Sequence, residues 1–183
     1  MEFFKRRGFV LALALLLIVS ATVFGYGFMP ILKVEGEFIT YSKFLKVYGA
    51  FKSYDRISQQ TRTDDKELKK RALESLIEDR FIGLLIQKTN ANLKLEALQN
   101  VEKAVLDMKD FSLEEAARKL YGLSAADFKK FVFIPEAEKD LLIKHYAYNP
   151  SELDGLWNEL ERDAQVKIYY SGYEWRDGEV KIK

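Results

Sequence analysis

Few side chains here could do covalent chemistry. His145 is the single histidine among 183 residues and cysteine is absent, so Cys/His zinc ligation and Cys–His nucleophilic pairs are both excluded. A general base needs a positioned partner. In "LLIKHYAY" (Leu141 to Tyr148) His145 reads instead as a helix-surface or partly packed side chain. The carboxylates of Asp64-Asp65, Glu78-Asp79 and Glu114-Glu115 are adjacent in sequence, so the members of each pair diverge around a helix and do not converge on a proton or metal. They read as caps and solvated faces. No Gly-rich phosphate loop follows a strand, and the proline of Asn149-Pro150-Ser151 bars it as a glycosylation acceptor. No catalytic, metal-binding or cofactor-binding residue is therefore expected, and no enzyme.

What remains is an aromatic surplus. Tyr41, Phe44, Tyr48, Phe51 and Tyr54 recur at helical spacing, and Phe128, Phe131, Phe133, Tyr146 and Tyr148 flank a proline-interrupted apolar stretch. A small helical domain uses such side chains as core. A groove for extended or unfolded chains has the same signature in sequence, and only exposure separates the two. On the groove reading, the candidate client contacts are Phe44, Tyr48, Phe51, Phe128, Phe131 and Tyr146.

The elements that must position these residues follow from period and caps. "ILKVEGEFI" (Ile31 to Ile39) is a short strand with a tight turn at Glu35-Gly36-Glu37, and Thr40 is the N-cap of a first helix. Asp64 with Glu67 opens a second helix carrying Leu68, Leu73, Leu76, Ile77, Phe81, Leu84 and Leu85 inward, ending near Lys88 to Asn92. A third is expected to bury Leu95, Leu98, Val101 and Val105. Ser112 with Glu115 starts a short helix that Gly122 terminates, and Ser124 with Asp127 starts a long one in which Pro135 should kink or break the helix. Asn149-Pro150 opens a last helix with Leu153, Leu156, Trp157 and Leu160 on one face. The period then falls to two. Val166, Ile168 and Tyr170 alternate with polar neighbours, and Asp177-Gly178 marks a type I′ hairpin. A lone hairpin is marginal in water, so the first strand should join the last two in one small antiparallel sheet built from both ends of the chain.

The front of the chain differs in kind. Gly8 to Met29 is 22 residues without a charge, roughly 33 Å as a helix at about 1.5 Å per residue, enough to cross a bilayer core. A cleaved signal peptide is the competing reading, but its apolar core is shorter and ends in a small-residue site, for which only Val19 to Ala21 offers a poor match. Lys5, Arg6 and Arg7 precede the run, which places the N-terminus in the cytoplasm and the rest outside, in a periplasm or at a cell surface. The division expected is residues 1–30 as cytoplasmic tip and anchor, with membrane contact through residues 8–29, and 31–183 as an extracytoplasmic, mainly α domain. Setting aside the three basic residues and one acidic residue of the first thirty, from totals of 29 and 28, leaves that domain close to neutral. Such balance argues against nucleic-acid binding.

The order of these parts resembles a known family. "VEGEFITYSKF" is similar to the V-N-G-x-x-I-T-x-x-x-F opening of the SurA-type chaperone domain, shared by SurA, PrsA and PpiD-like parvulin isomerases. "ALESLIEDRFIGLLIQKTN" resembles that domain's second helix, "FSLEEAARKLYGLSAADFKKFV" its short helix, turn and long helix, and "LWNELERDAQVKIYY" its closing helix and strand. The likeness runs from Val34 to Tyr170. The family commonly inserts a parvulin domain before the closing helix, whereas "HYAYNPSELDGLW" passes through that place without room for one. The resemblance thus implies polypeptide binding without prolyl isomerisation. The expected function is a membrane-anchored extracytoplasmic holdase for unfolded exported polypeptides. The alternative is a non-enzymatic scaffold docking one membrane or envelope protein.

Overall fold

A computed structural model describes residues 27–58, 63–108 and 112–183. Apart from Gly27 to Met29, the expected anchor lies outside them, and among the described residues no helix is long and apolar enough to cross a membrane. The chain is mainly helical. Two strands, β1 (Pro30–Val34) and β2 (Glu37–Thr40), lead into α1 (Tyr41–Ser58), α2 (Asp65–Thr89) and α3 (Asn92–Asp107). Then come α4 (Leu113–Ala116) with a π-helical turn Ala117–Tyr121, α5 (Ala125–Phe128), a second π-helical segment Lys129–Phe133, and α6 (Ile134–His145). The chain closes with α7 (Pro150–Asp163) and strands β3 (Val166–Ile168), β4 (Tyr173–Arg176) and β5 (Glu179–Ile182).

The β1–β2 reversal uses Glu35 at φ 47° and Gly36 at φ 83°, two successive left-handed residues as a type I′ turn requires. On the far side of β1, Leu32 faces Ile168 and Val34 faces Val166 in an antiparallel ladder. Both chain ends therefore meet in one sheet, ordered β2-β1-β3. The expectation of a single sheet needs correction: β4 and β5 form their own two-stranded sheet around Asp177-Gly178. β3 is only three residues long, and Gly172, at φ 88°, turns the chain away. The hairpin instead covers α2, adding Tyr173 and Val180 to the core and donating the Tyr173 hydroxyl to the Lys66 carbonyl at 3.0 Å.

Local signals set the helix starts. Asp64 accepts from the Lys66 N–H, Ser112 from the Glu115 N–H and Ser124 from the Asp127 N–H, satisfying donors that the first turn leaves orphaned. Gly122, at φ 65°, ends the fourth helical unit in the left-handed conformation. Pro135 neither breaks nor ends the long helix. It falls in the first turn of α6, directly after the π segment, whose wider turn relieves the ring–carbonyl clash and missing donor.

The third helix buries Leu93, Ala97 and Val101, while Leu95 and Leu98 are exposed, so the expected stripe is rotated. Apolar residues occur on both flanks of α3, and α6 selects one: Leu141 and Leu142 pack with Leu93 and Ala97, next to Leu85 and Ile86 of α2. A larger cluster joins Leu32, Val34 and Ile39 of the sheet to Phe44 of α1 and Leu73, Ile77 and Phe81 of α2. A third holds Ala50, Ala117, Leu123 and Phe128.

Candidate functional site

The six aromatic candidates do not share one surface. Phe44 is 1% exposed, stacked between Tyr41 and Tyr48 at 6.0 and 5.9 Å with Tyr170 at 5.2 Å. It is core, with no surface to offer a client. Phe128 is buried against Ala117 and Leu123, its ring 4.8 Å from Tyr121 and 4.6 Å from Phe133. Tyr146 is buried between α2 and α6, where its hydroxyl meets Thr89 Oγ1 at 2.8 Å. Tyr48 is half-buried but occupied: its hydroxyl donates to Asp65, and Lys52 and Lys69 lie over its ring at 5.5 and 5.8 Å. Lys69 and then Tyr48, by hydrogen bonding, hold the Asp65 carboxyl below the usual carboxylate range. Burial in each case follows from the helix face on which the residue falls.

Phe51 and Phe131 do come together. They line a groove of about 370 Å³ between α1, α2 and the π-to-α6 junction, along with Val47, Ala50, Ile82, Val132 and Pro135. The π segment shapes this wall, because an extra residue per turn changes which side chains face inward. Tyr54 and Tyr121, stacked at 5.6 Å, form part of the same lining. Burial, then the neighbouring Tyr54, pushes the Tyr121 phenol above its ordinary value, so this end stays uncharged.

Ion pairs rim the groove. Lys43 Nζ sits 2.7 Å from Asp79, and Lys139 Nζ sits 2.7 Å from Glu78. Lys46, paired with Asp127 at 2.6 Å, also reaches over the Phe131 ring at 5.5 Å, and its hydrogen bond is the main cause of the lowered Asp127 pKa. The adjacent carboxylates Glu78 and Asp79 thus diverge, each to a lysine on a different helix. An apolar floor with a few fixed polar groups at its edge suits reversible capture of an apolar side chain beside a hydrogen-bonding backbone.

Sequence reasoning missed Val47, Ala50, Tyr54, Ile82, Val132 and Pro135 as lining residues, and missed Glu78 and Asp79 as rim. The groove's smaller residues carry no aromatic signal, and Tyr54, though part of the aromatic surplus, was not among the candidate contacts. Among the described residues no group of three or more His, Asp or Glu converges as a metal site would require. His145 is exposed, edge-on to Tyr146 at 5.1 Å. No family model, curated protein or solved structure matches this chain.

Proposed function

We propose that this chain is a membrane-anchored, extracytoplasmic holdase chaperone that takes apolar side chains of unfolded polypeptides into the α1/α2/α6 groove. The observation that carries the reading is Phe51 and Phe131 facing one open, apolar, ion-rimmed cleft. The resemblance of Val34 to Tyr170 to the SurA-type chaperone domain supports the same class, and the uncharged run from Gly8 to Met29 supports the anchor. Capture is burial alone, at roughly 25 cal/mol per Å² of apolar surface, with no covalent step. The test is aggregation of a chemically unfolded client with the full chain in detergent micelles. Suppression at stoichiometric amounts, weakened by Phe51→Ser with Val132→Ser, is the expected result; an unchanged aggregation rate with the parent chain rejects the reading.

A scaffold that docks one folded envelope protein is the second reading, favoured by the outer face of α3, where Leu95, Leu98 and Leu106 are exposed. A photo-crosslinker at position 51 separates the two in membranes. A chaperone gives many products from that position, and a scaffold gives one band from position 98.

A further inference from the structure

The outer face of the β2-β1-β3 sheet has an unusual composition for a solvated surface. Leu32, Val34 and Ile39 turn inward, so strand alternation turns Lys33, Phe38 and Lys167 outward. Lys33 pairs with Phe38 on one side and Lys167 on the other, giving a row across all three strands. Phe38 is 54% exposed and Tyr169, whose ring lies 6.4 Å away, 43%. Lys33 Nζ sits 5.1 Å over the Phe38 ring and Lys167 Nζ 5.2 Å over the Tyr169 ring. Neither lysine has a carboxylate partner among the described residues, and the nearby acids are engaged: Glu35 accepts from the Gln165 N–H and Glu37 binds Arg80 at 2.7 Å.

The chain's own continuity says what meets this face. The expected span ends at Met29, and β1 begins at the next residue. The Met29 carbonyl accepts from the Tyr41 N–H at 2.8 Å, which fastens the end of the run to the sheet and α1. At about 3.3 Å per strand residue, Lys33 lies within roughly 13 Å of that point. Phe28 and Met29, both exposed, fill the gap with further apolar surface.

We propose that this sheet face rests on the phospholipid headgroup layer of the membrane entered by residues 8–29, with Phe38 and Tyr169 at the interface and Lys33 and Lys167 on lipid phosphates. The inference rests on the anchored reading above. Amphipathic rings and long cationic side chains are the residues that settle at that depth. The contact would fix the groove's height and direction relative to the bilayer, where a bare tether would let the domain tumble.

Because cysteine is absent, single reporter cysteines can be introduced without interference. The full chain, labelled fluorescently at S171C or L106C, is reconstituted into phosphatidylcholine/phosphatidylglycerol vesicles containing a headgroup-nitroxide quencher lipid. Quenching at 171 should exceed that at 106 severalfold. Lys33→Glu with Lys167→Glu should abolish the difference, since each lysine near an anionic surface supplies roughly a fivefold bias, and Lys33→Arg with Lys167→Arg should keep it. Equal quenching in a chain that pellets with the vesicles overturns the proposal and leaves the anchor standing. A chain that does not pellet overturns the anchor and the sheet contact together. A difference that survives charge reversal, or a discrete protein crosslink from position 38 with no quenching at 171, also overturns it.

Discussion

Leu32 stands directly opposite Ile168, so residues from opposite ends of the chain share one antiparallel ladder above the core. Leu32 is fully buried, whereas Lys167, its neighbour's partner, points to the other face. Leu32→Ala should therefore cost about 2–5 kcal/mol, the range for a large buried aliphatic side chain. Lys167→Ala should stay within about 0.5 kcal/mol. Chemical denaturation of the two variants side by side checks the contrast, and similar midpoints would contradict the assignment of the two faces.

Phe44 and Phe51 lie on one helix and should behave oppositely. Phe44→Ala removes a ring packed among three tyrosines and should cost about 3–5 kcal/mol. Phe51→Ala opens the groove and should cost only about 1 kcal/mol while weakening client suppression. Thermal melts paired with the aggregation assay read both quantities. Loss of suppression by a well-folded Phe44 variant and none by the Phe51 variant would place the binding surface elsewhere.

Glu138 is 6% exposed, in a helix packed on α2 and α3. Burial raises its pKa above the ordinary glutamate value; Lys94 pulls it down, Asp79 adds to the rise, and Lys43 opposes it. A carboxyl whose folded pKa exceeds its unfolded one destabilises the fold when charged. That penalty is absent below the unfolded value, grows as pH rises from the unfolded value to the folded one, and is fully present above it. Glu138→Gln should accordingly be more stable than the parent at pH near 7, with the advantage vanishing in acid below about pH 4. Denaturation midpoints across that window decide it, and a pH-independent difference would show that charge is not the cause.

Gly122 joins two short helical units at φ 65°, and a Cβ built there would meet Ser53 Oγ at 2.8 Å. Gly122→Ala combines a left-handed backbone with that close approach, and should destabilise by about 1–2 kcal/mol from the backbone term alone. Adding Ser53→Gly removes the contact and leaves the backbone cost, so the double variant should recover only part of the loss. Full recovery in a denaturation series would show that sterics, not the dihedral angle, governs this joint.

Punctuation was the most legible layer of the sequence. Asp64, Ser112 and Ser124 cap helices, and Asp177-Gly178 adopts φ 56° and 79°, because each depends on a few adjacent residues. The meeting of the chain ends was readable only in part: the first strand does join the alternating Val166 to Ile168 segment, but the hairpin finds its cover on α2 instead. Which face of α3 goes inward was not, for Leu93 and Leu95 are equally apolar and only contact with α6 distinguishes them. The groove was half legible. Phe51 and Phe131 announce themselves, but the π segment that brings Val132 beside them leaves no local signature.

The pairing of β1 with β3 also sets the order of events during synthesis. β1 and β2 are made before α1 to α7 and can close their hairpin at once, yet the remaining edge of β1 waits for Val166 to Ile168, made only after α7. An edge left open that long is a template for foreign strands, and contacts between sequence-distant segments form slowly. Arrival of β3, not appearance of the helices, is the moment at which this edge becomes safe from its neighbours.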